Sequence, residues 1–191
     1  YNPNSGSTNS TACIDPSPGY YVPSNGSANQ TAASPGYYVS TSAATNQTAC
    51  SPGSYQPYSG QTYCLDASAG NYVSISAATN QTACPAGTYN PNNGSTSSSA
   101  CIAASLGYYV PGNGSANQTA ASPGYYVFTT AATNQIACSP GTYQPSTGQT
   151  YCLDASPGYF VISAGSANQT AASPGYYVSA DAATNQTACS P

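Results

Sequence analysis

The chain has 191 residues, no Lys, Arg or His, and a net charge of −4 from four carboxylates, Asp15, Asp66, Asp154 and Asp181. With no cation to displace phosphate counterions, nucleic-acid binding through neutralised phosphates is excluded. General acid–base and nucleophilic catalysis have no His, Lys or Glu to use and the four carboxylates sit in different units, so neither enzyme activity nor a cofactor beyond covalent glycans is expected.

In chain order, residues 1–13 form a partial unit and two 88-residue blocks follow, offset as Cys13 is from Cys101. The first block (14–101) divides into units 14–33, 34–50, 51–64, 65–84 and 85–101. The second (102–189) divides into 102–121, 122–138, 139–152, 153–172 and 173–189, and 190–191 open another. Each unit ends in a segment such as N-Q-T-A or G-Q-T-Y followed by Cys or Ala. Tyr1 matches Tyr89 inside a unit, as expected of a window on a longer array. Repetition of this fidelity predicts self-similar packing along a line, whereas an active site needs unlike residues converging once.

Within a unit, Ser-Pro-Gly-Tyr predicts a type II turn, with Pro presetting φ and Gly taking the positive φ. Tyr-Tyr-Val predicts a short strand, a polar turn follows (Asn25–Gly26, Asn93–Gly94, Asn113–Gly114), and N-Q-T-A returns as a second strand. Strand alternation is expected to send one of Tyr37 and Tyr38 inward and the other outward. No apolar period of 3.6 is present. The expected fold is therefore small, disulfide-rich, all-β/irregular: an elongated tandem array of short hairpin-like units with essentially no helix. One unit buries too little to order itself, so neighbouring repeats, self-association or glycans are the expected partners. No stretch approaches the roughly 20 apolar residues of a membrane span.

Eight cysteines at fixed spacing predict an oxidising, extracellular or cell-surface location. Pairing within units gives Cys50–Cys64, Cys84–Cys101 and Cys138–Cys152, with Cys13 and Cys189 pairing outside the segment; Cys64 with Cys84 is an alternative. Ten N-x-S/T sequons mark candidate N-glycosylation sites: Asn9, Asn25, Asn29, Asn46, Asn80, Asn93, Asn113, Asn117, Asn168 and Asn185. Chance and copying also generate sequons in an Asn-, Ser- and Thr-rich repeat, but six of the ten are the same N-Q-T at the same unit position. At Asn134 the signal is lost because Ile136 replaces Thr. Asp15, Asp66 and Asp154 share one position and are expected to cap turns. Calcium bridging is the rival role, and Ala103 at the equivalent site argues against it.

The motif C-x-P-G-x-Y-x-P-x-x-G-x-x-x-C at 50–64 and 138–152 resembles the short cysteine-rich repeats of ephrin-receptor-like and tumour-necrosis-factor-receptor-like modules. Such modules also occur in tandem in microbial and algal surface proteins. The resemblance implies elongated, mostly irregular modules with short hairpins held by disulfides. Ala67 and Ala155 stand where the family has a further cysteine. The composition and sequon density also resemble glycosylated surface fibrils and mastigonemes. The leading expectation is a structural segment of an extracellular glycosylated filament or surface coat. Its rival is the stalk of a receptor or adhesin whose binding domain lies outside the segment. Ligand recognition by the repeats themselves predicts substitutions concentrated in one unit, whereas Phe128, Ile136, Phe160 and Ala103 read as scattered.

Overall fold

A computed structural model describes residues 1–190. They form a tandem series of ten two-stranded antiparallel hairpins, and every strand is two residues long. Helix is confined to the single 3-10 turns Ser10–Ala12 and Ser98–Ala100. The chain divides into two compact units, one of Tyr1–Cys84 with Asn90–Cys101, the other of Pro85–Tyr89 with Ile102–Pro191.

Most first strands are Tyr-Tyr or a similar pair just after the Pro-Gly turn, and their return strands are the Thr-Ala of N-Q-T-A. Tyr37 thus faces Ala49 and Tyr38 faces Thr48. In the units ending G-Q-T-Y-C the return strand falls elsewhere. Leu65–Asp66 pairs with Ser54–Tyr55, and Leu153–Asp154 with Thr142–Tyr143, so Gln61, Thr62 and Tyr63 remain in the loop. Ile102–Ala103 likewise returns against Thr88–Tyr89, beyond Cys101. The return strand begins 12 residues after the turn glycine both at Gly36–Thr48 and at Gly53–Leu65, and 15 after it at Gly87–Ile102. The turn glycines Gly19, Gly36, Gly53, Gly70 and Gly87 recur every 17 residues, as do Gly107, Gly124, Gly141, Gly158 and Gly175. The step from Gly87 to Gly107 is 20, and the extra residues are taken up at Ser98–Ala100.

A two-stranded hairpin is marginal alone in water, and within each unit hairpins are fastened to one another. In the first unit the N–H of Gly19 donates to the carbonyl of Val39 (2.8 Å), Gly36 to Gln56 (2.7 Å) and Gly53 to Val73 (2.8 Å). In the second, Gly107 donates to Val127 (2.9 Å), Gly124 to Gln144 (2.7 Å) and Gly141 to Val161 (2.8 Å). A second rung joins Val39 N–H to the Gln61 carbonyl (2.9 Å), and a third joins Gly60 N–H to the Ala33 carbonyl (2.7 Å). The ladder also reaches past the adjacent hairpin. Gly36 has φ +85°, and a Cβ there would overlap the Ala77 carbonyl, which belongs to the next hairpin but one. Glycine is required by backbone approach as well as by φ.

The interior of each unit is a pair of columns with few aromatic members. In the first unit Val39, Gln56, Val73 and Asn90 are buried, as are Ala33, Cys50, Ala67 and Cys84. In the second, Val110, Val127, Gln144 and Val161 are buried with Ala104, Ala121, Cys138 and Ala155. Each fully buried Val contributes about 1.5–3 kcal/mol. The inward–outward split expected of Tyr37 and Tyr38 does not occur: both are half-buried. The strand ends after two residues and the following Val39 turns into the stack, while a half-covered tyrosine keeps its hydroxyl in water. Tyr176 and Tyr177, over which no later hairpin lies, are 46 % and 49 % exposed. Burial of the tyrosines therefore comes from the neighbouring hairpins.

Candidate functional site: the hairpin bases and the sequon ladder

Each hairpin is closed at its base, where the residue before the return strand meets the start of the same hairpin. Three bases are covalent: Cys50–Cys64 and Cys138–Cys152, each with Cα atoms 5.8 Å apart, and Cys84–Cys101 at 5.6 Å. These distances lie in the normal range for a disulfide. The other seven bases use a glutamine. Gln47 Oε1 accepts from the Ser34 N–H (2.7 Å) and Gln81 Oε1 from Ser68 (2.8 Å). Gln30 accepts from Ser17 (3.0 Å), Gln118 from Ser105 (2.8 Å) and Gln135 from Ser122 (2.7 Å). Gln169 accepts from Ser156 (2.8 Å) and Gln186 from Ser173 (2.6 Å). These are the glutamines of N-Q-T-A and, at position 135, of N-Q-I-A.

The base chemistry goes with a change in the core. Hairpins closed by glutamine carry Val22, Val39, Val73, Val110, Val127, Val161 or Val178 after the first strand; the three disulfide hairpins carry Gln56, Asn90 and Gln144. Gln56 Nε2 donates to the Tyr63 carbonyl (2.8 Å) and its Oε1 accepts from Tyr58 N–H (3.2 Å). Gln144 makes the equivalent bonds to the Tyr151 carbonyl (2.8 Å) and Ser146 N–H (3.1 Å). Asn90 donates to the Asn71 carbonyl and to Ser95 Oγ (both 2.9 Å). Each buried amide is thereby satisfied, as burial demands. Proline at position 85 fits the same logic. The N–H it lacks is the one that glutamine would otherwise accept, and the Cys84–Cys101 base needs no such donor.

Neither the glutamines nor the buried amides were singled out from sequence. Counting between cysteines hides them, whereas counting 17 from each turn glycine places Gln47 over Cys64 and Val39 over Gln56.

The ten sequons divide by what their side chains do. Asn29, Asn46, Asn80, Asn117, Asn168 and Asn185 are exposed, each directly before a base glutamine, and none has a side-chain hydrogen bond among the described residues. Asn25 is exposed in the same way. Three are engaged through Oδ1: Asn9 with Thr11 N–H (3.0 Å), Asn93 with Ala69 N–H (2.8 Å) and Asn113 with Ala86 N–H (2.8 Å). Nδ2, the atom a glycan would occupy, stays free in all three.

Asp66 and Asp154 do not cap turns. Both lie in return strands, opposite Ser54 and Thr142, with exposed side chains. The turn role fails because the return strand begins one residue earlier, at Leu65 and Leu153. Among the described residues, no group of three or more His, Cys, Asp or Glu could hold a metal ion, and no helix is long and apolar enough to cross a membrane. Cys13 and Cys189 are exposed thiols without a partner among the described residues. No protein-family model and no curated protein matches the chain.

Proposed function

We propose that this chain is a structural segment of an extracellular, N-glycosylated filament or surface coat, without catalytic activity or a bound cofactor. The observation carrying the reading is the backbone ladder that, within each unit, ties hairpins such as 37–49 and 125–137 to those that follow them. A hairpin in this scheme has no interior of its own, and its order comes from like neighbours, which is the energetic pattern of a one-dimensional array. Buried disulfides at Cys50, Cys84 and Cys138 support an oxidising compartment. The exposed asparagines before the base glutamines support a glycan-bearing face.

The test is secretion of the chain from a eukaryotic host, with intact mass taken before and after enzymatic removal of N-glycans, and negative-stain imaging of the assembly in its native source. Glycan mass on the N-Q-T asparagines and uniform fibres with a fixed axial repeat are the expected results. An unglycosylated secreted product, or the same array holding a distinct head domain above a membrane anchor, overturns the filament reading.

A further inference from the structure

Two of the four substitutions that look scattered in sequence meet on one hairpin face. Residues 122–138 copy residues 34–50 except at Phe128 for Ser40, Thr130 for Ser42 and Ile136 for Thr48. Tyr126 and Ile136 are cross-strand partners. The Phe128 ring lies against the Tyr126 ring, centroids 5.9 Å apart. Cross-strand partners share a face, and the ring contact sets Phe128, which lies beyond the strand Tyr125–Tyr126, beside Tyr126. Phe128 and Ile136 remain 57 % and 43 % exposed. Where the first block presents Tyr38, Ser40 and Thr48, the second thus presents Tyr126, Phe128 and Ile136, and the Ile also removes the sequon at Asn134.

A cleft adjoins this face. It has a volume of about 270 Å³ and is lined by Tyr126, Ser139, Thr142, Tyr151 and Cys152. Tyr151 is 59 % exposed. Thr142 Oγ1 donates to the Ser139 carbonyl and keeps its lone pairs for an incoming donor. The Ser139 N–H, which a base glutamine would occupy in other hairpins, has no protein acceptor among the described residues because this base is the Cys138–Cys152 bridge. None of the lining residues is charged. Carboxylates stand at two neighbouring positions: Asp154, the cross-strand partner of Thr142, and Asp181, next to the Ala182 carbonyl that approaches Gly141.

We infer that the cleft between Tyr126 and Tyr151, flanked by the Phe128–Ile136 face, binds a neutral oligosaccharide. The electron-rich face of a tyrosine ring attracts the weakly positive C–H face of a sugar. Ser139 and Thr142 supply hydroxyls, and the free Ser139 amide supplies a donor, for exchange with sugar hydroxyls. A protein partner fits less well, since a stable interface uses about 800 Å² and some 20–30 residues on each side. The volume is below the roughly 300–1,000 Å³ of drug-sized sites, as suits one or two sugar rings rather than a larger apolar ligand. Loss of the acceptor at Asn134 keeps this cleft uncovered, a point that rests on the N-Q-T asparagines carrying glycans.

The test uses the full chain made without glycans, which separates it from the glycosylation reading: failure here leaves the mass of the secreted protein untouched. Saturation-transfer NMR is run with a released oligomannose N-glycan, with cellohexaose and with hexagalacturonate. Transfer to one of the two neutral probes is expected, with a Kd on the order of 1 mM. Oligomannose as the preferred probe points to glycans of another copy, and cellohexaose to a polysaccharide. Tyr151→Ala is expected to weaken binding at least ten-fold. Phe128→Ser with Ile136→Thr, which leaves Thr130 as the one difference from the first-block hairpin that the chain already folds, is expected to weaken it several-fold. No transfer to either neutral probe, tighter binding of hexagalacturonate, or unchanged binding in both variants overturns the proposal.

Discussion

Gln47 and Cys64 hold the same place in consecutive hairpins. Each directly precedes the return strand and closes the base, Gln47 by accepting the Ser34 N–H and Cys64 by bonding Cys50. A single backbone register therefore accepts either a hydrogen bond or a covalent link. The three bridges are reinforcements placed on a frame that seven other hairpins complete without them.

Cys50→Ala together with Cys64→Gln should convert the 54–66 hairpin to the glutamine form, with Gln at 64 accepting the Ser51 N–H. The bridge closes a loop of 14 residues, worth about 3 kcal/mol, and the new hydrogen bond returns about 1 kcal/mol. The net loss should be about 2 kcal/mol in denaturant unfolding, smaller than for Cys50→Ala alone. Equal or greater loss in the double variant would show that the two closures are not interchangeable.

Gln56→Val tests the amide that accompanies the bridge. Valine is tolerated at this depth in Val39 and Val73, 4 % and 2 % exposed, so the cavity cost is small. What is lost is the partner of the Tyr63 carbonyl and of the Tyr58 N–H. A loss of about 1–3 kcal/mol is expected, with faster amide exchange across 58–63. A neutral result would mean that water satisfies the loop and that the amide is incidental.

Gly36→Ala and Gly175→Ala separate turn strain from stacking. Their φ values are +85° and +84°, so the left-handed penalty is shared, about 1–2 kcal/mol each. Only at Gly36 would the new Cβ meet backbone, the Ala77 carbonyl; at Gly175 nothing lies within 4 Å. Gly36→Ala should therefore cost at least about 2 kcal/mol more than Gly175→Ala. Equal costs would remove the close approach of every second hairpin from the account.

The hairpin character was legible because the Pro-Gly turns and Tyr-Tyr-Val strands act locally: Pro35, Gly36 and Tyr37 specify a turn whatever surrounds them. The return strand at Leu65 was not legible. Gln61-Thr62-Tyr63 looks like the N-Q-T-A end at Gln47-Thr48-Ala49, yet register is set by distance from Gly53, an interaction across the hairpin rather than within the segment. The glutamine closures were hidden for the same reason, since an acceptor 13 residues from its donor leaves no local pattern. Phe128 and Ile136 looked unrelated until pairing with Tyr126 placed them on one face.

The sequons provide a last separation, between asparagines that build the fold and those that only decorate it. Asn93 lies in the loop before Gly94, and its Oδ1 accepts from Ala69 N–H, 24 residues away, whereas Asn80 makes no such bond. Glutamine at position 93 would carry its carbonyl one methylene too far for the same geometry. In glycan-free chain, Asn93→Gln should lower unfolding free energy by about 1 kcal/mol, while Asn80→Gln should stay within about 0.5 kcal/mol of the parent. In secreted chain the order of effects on mass is different: both substitutions should remove one glycan, because the Asn93 bond leaves Nδ2 free. Equal stability of the two variants would mean that the Asn93 contact is not formed in solution, and the N-G-S sequons would then belong with the N-Q-T ladder.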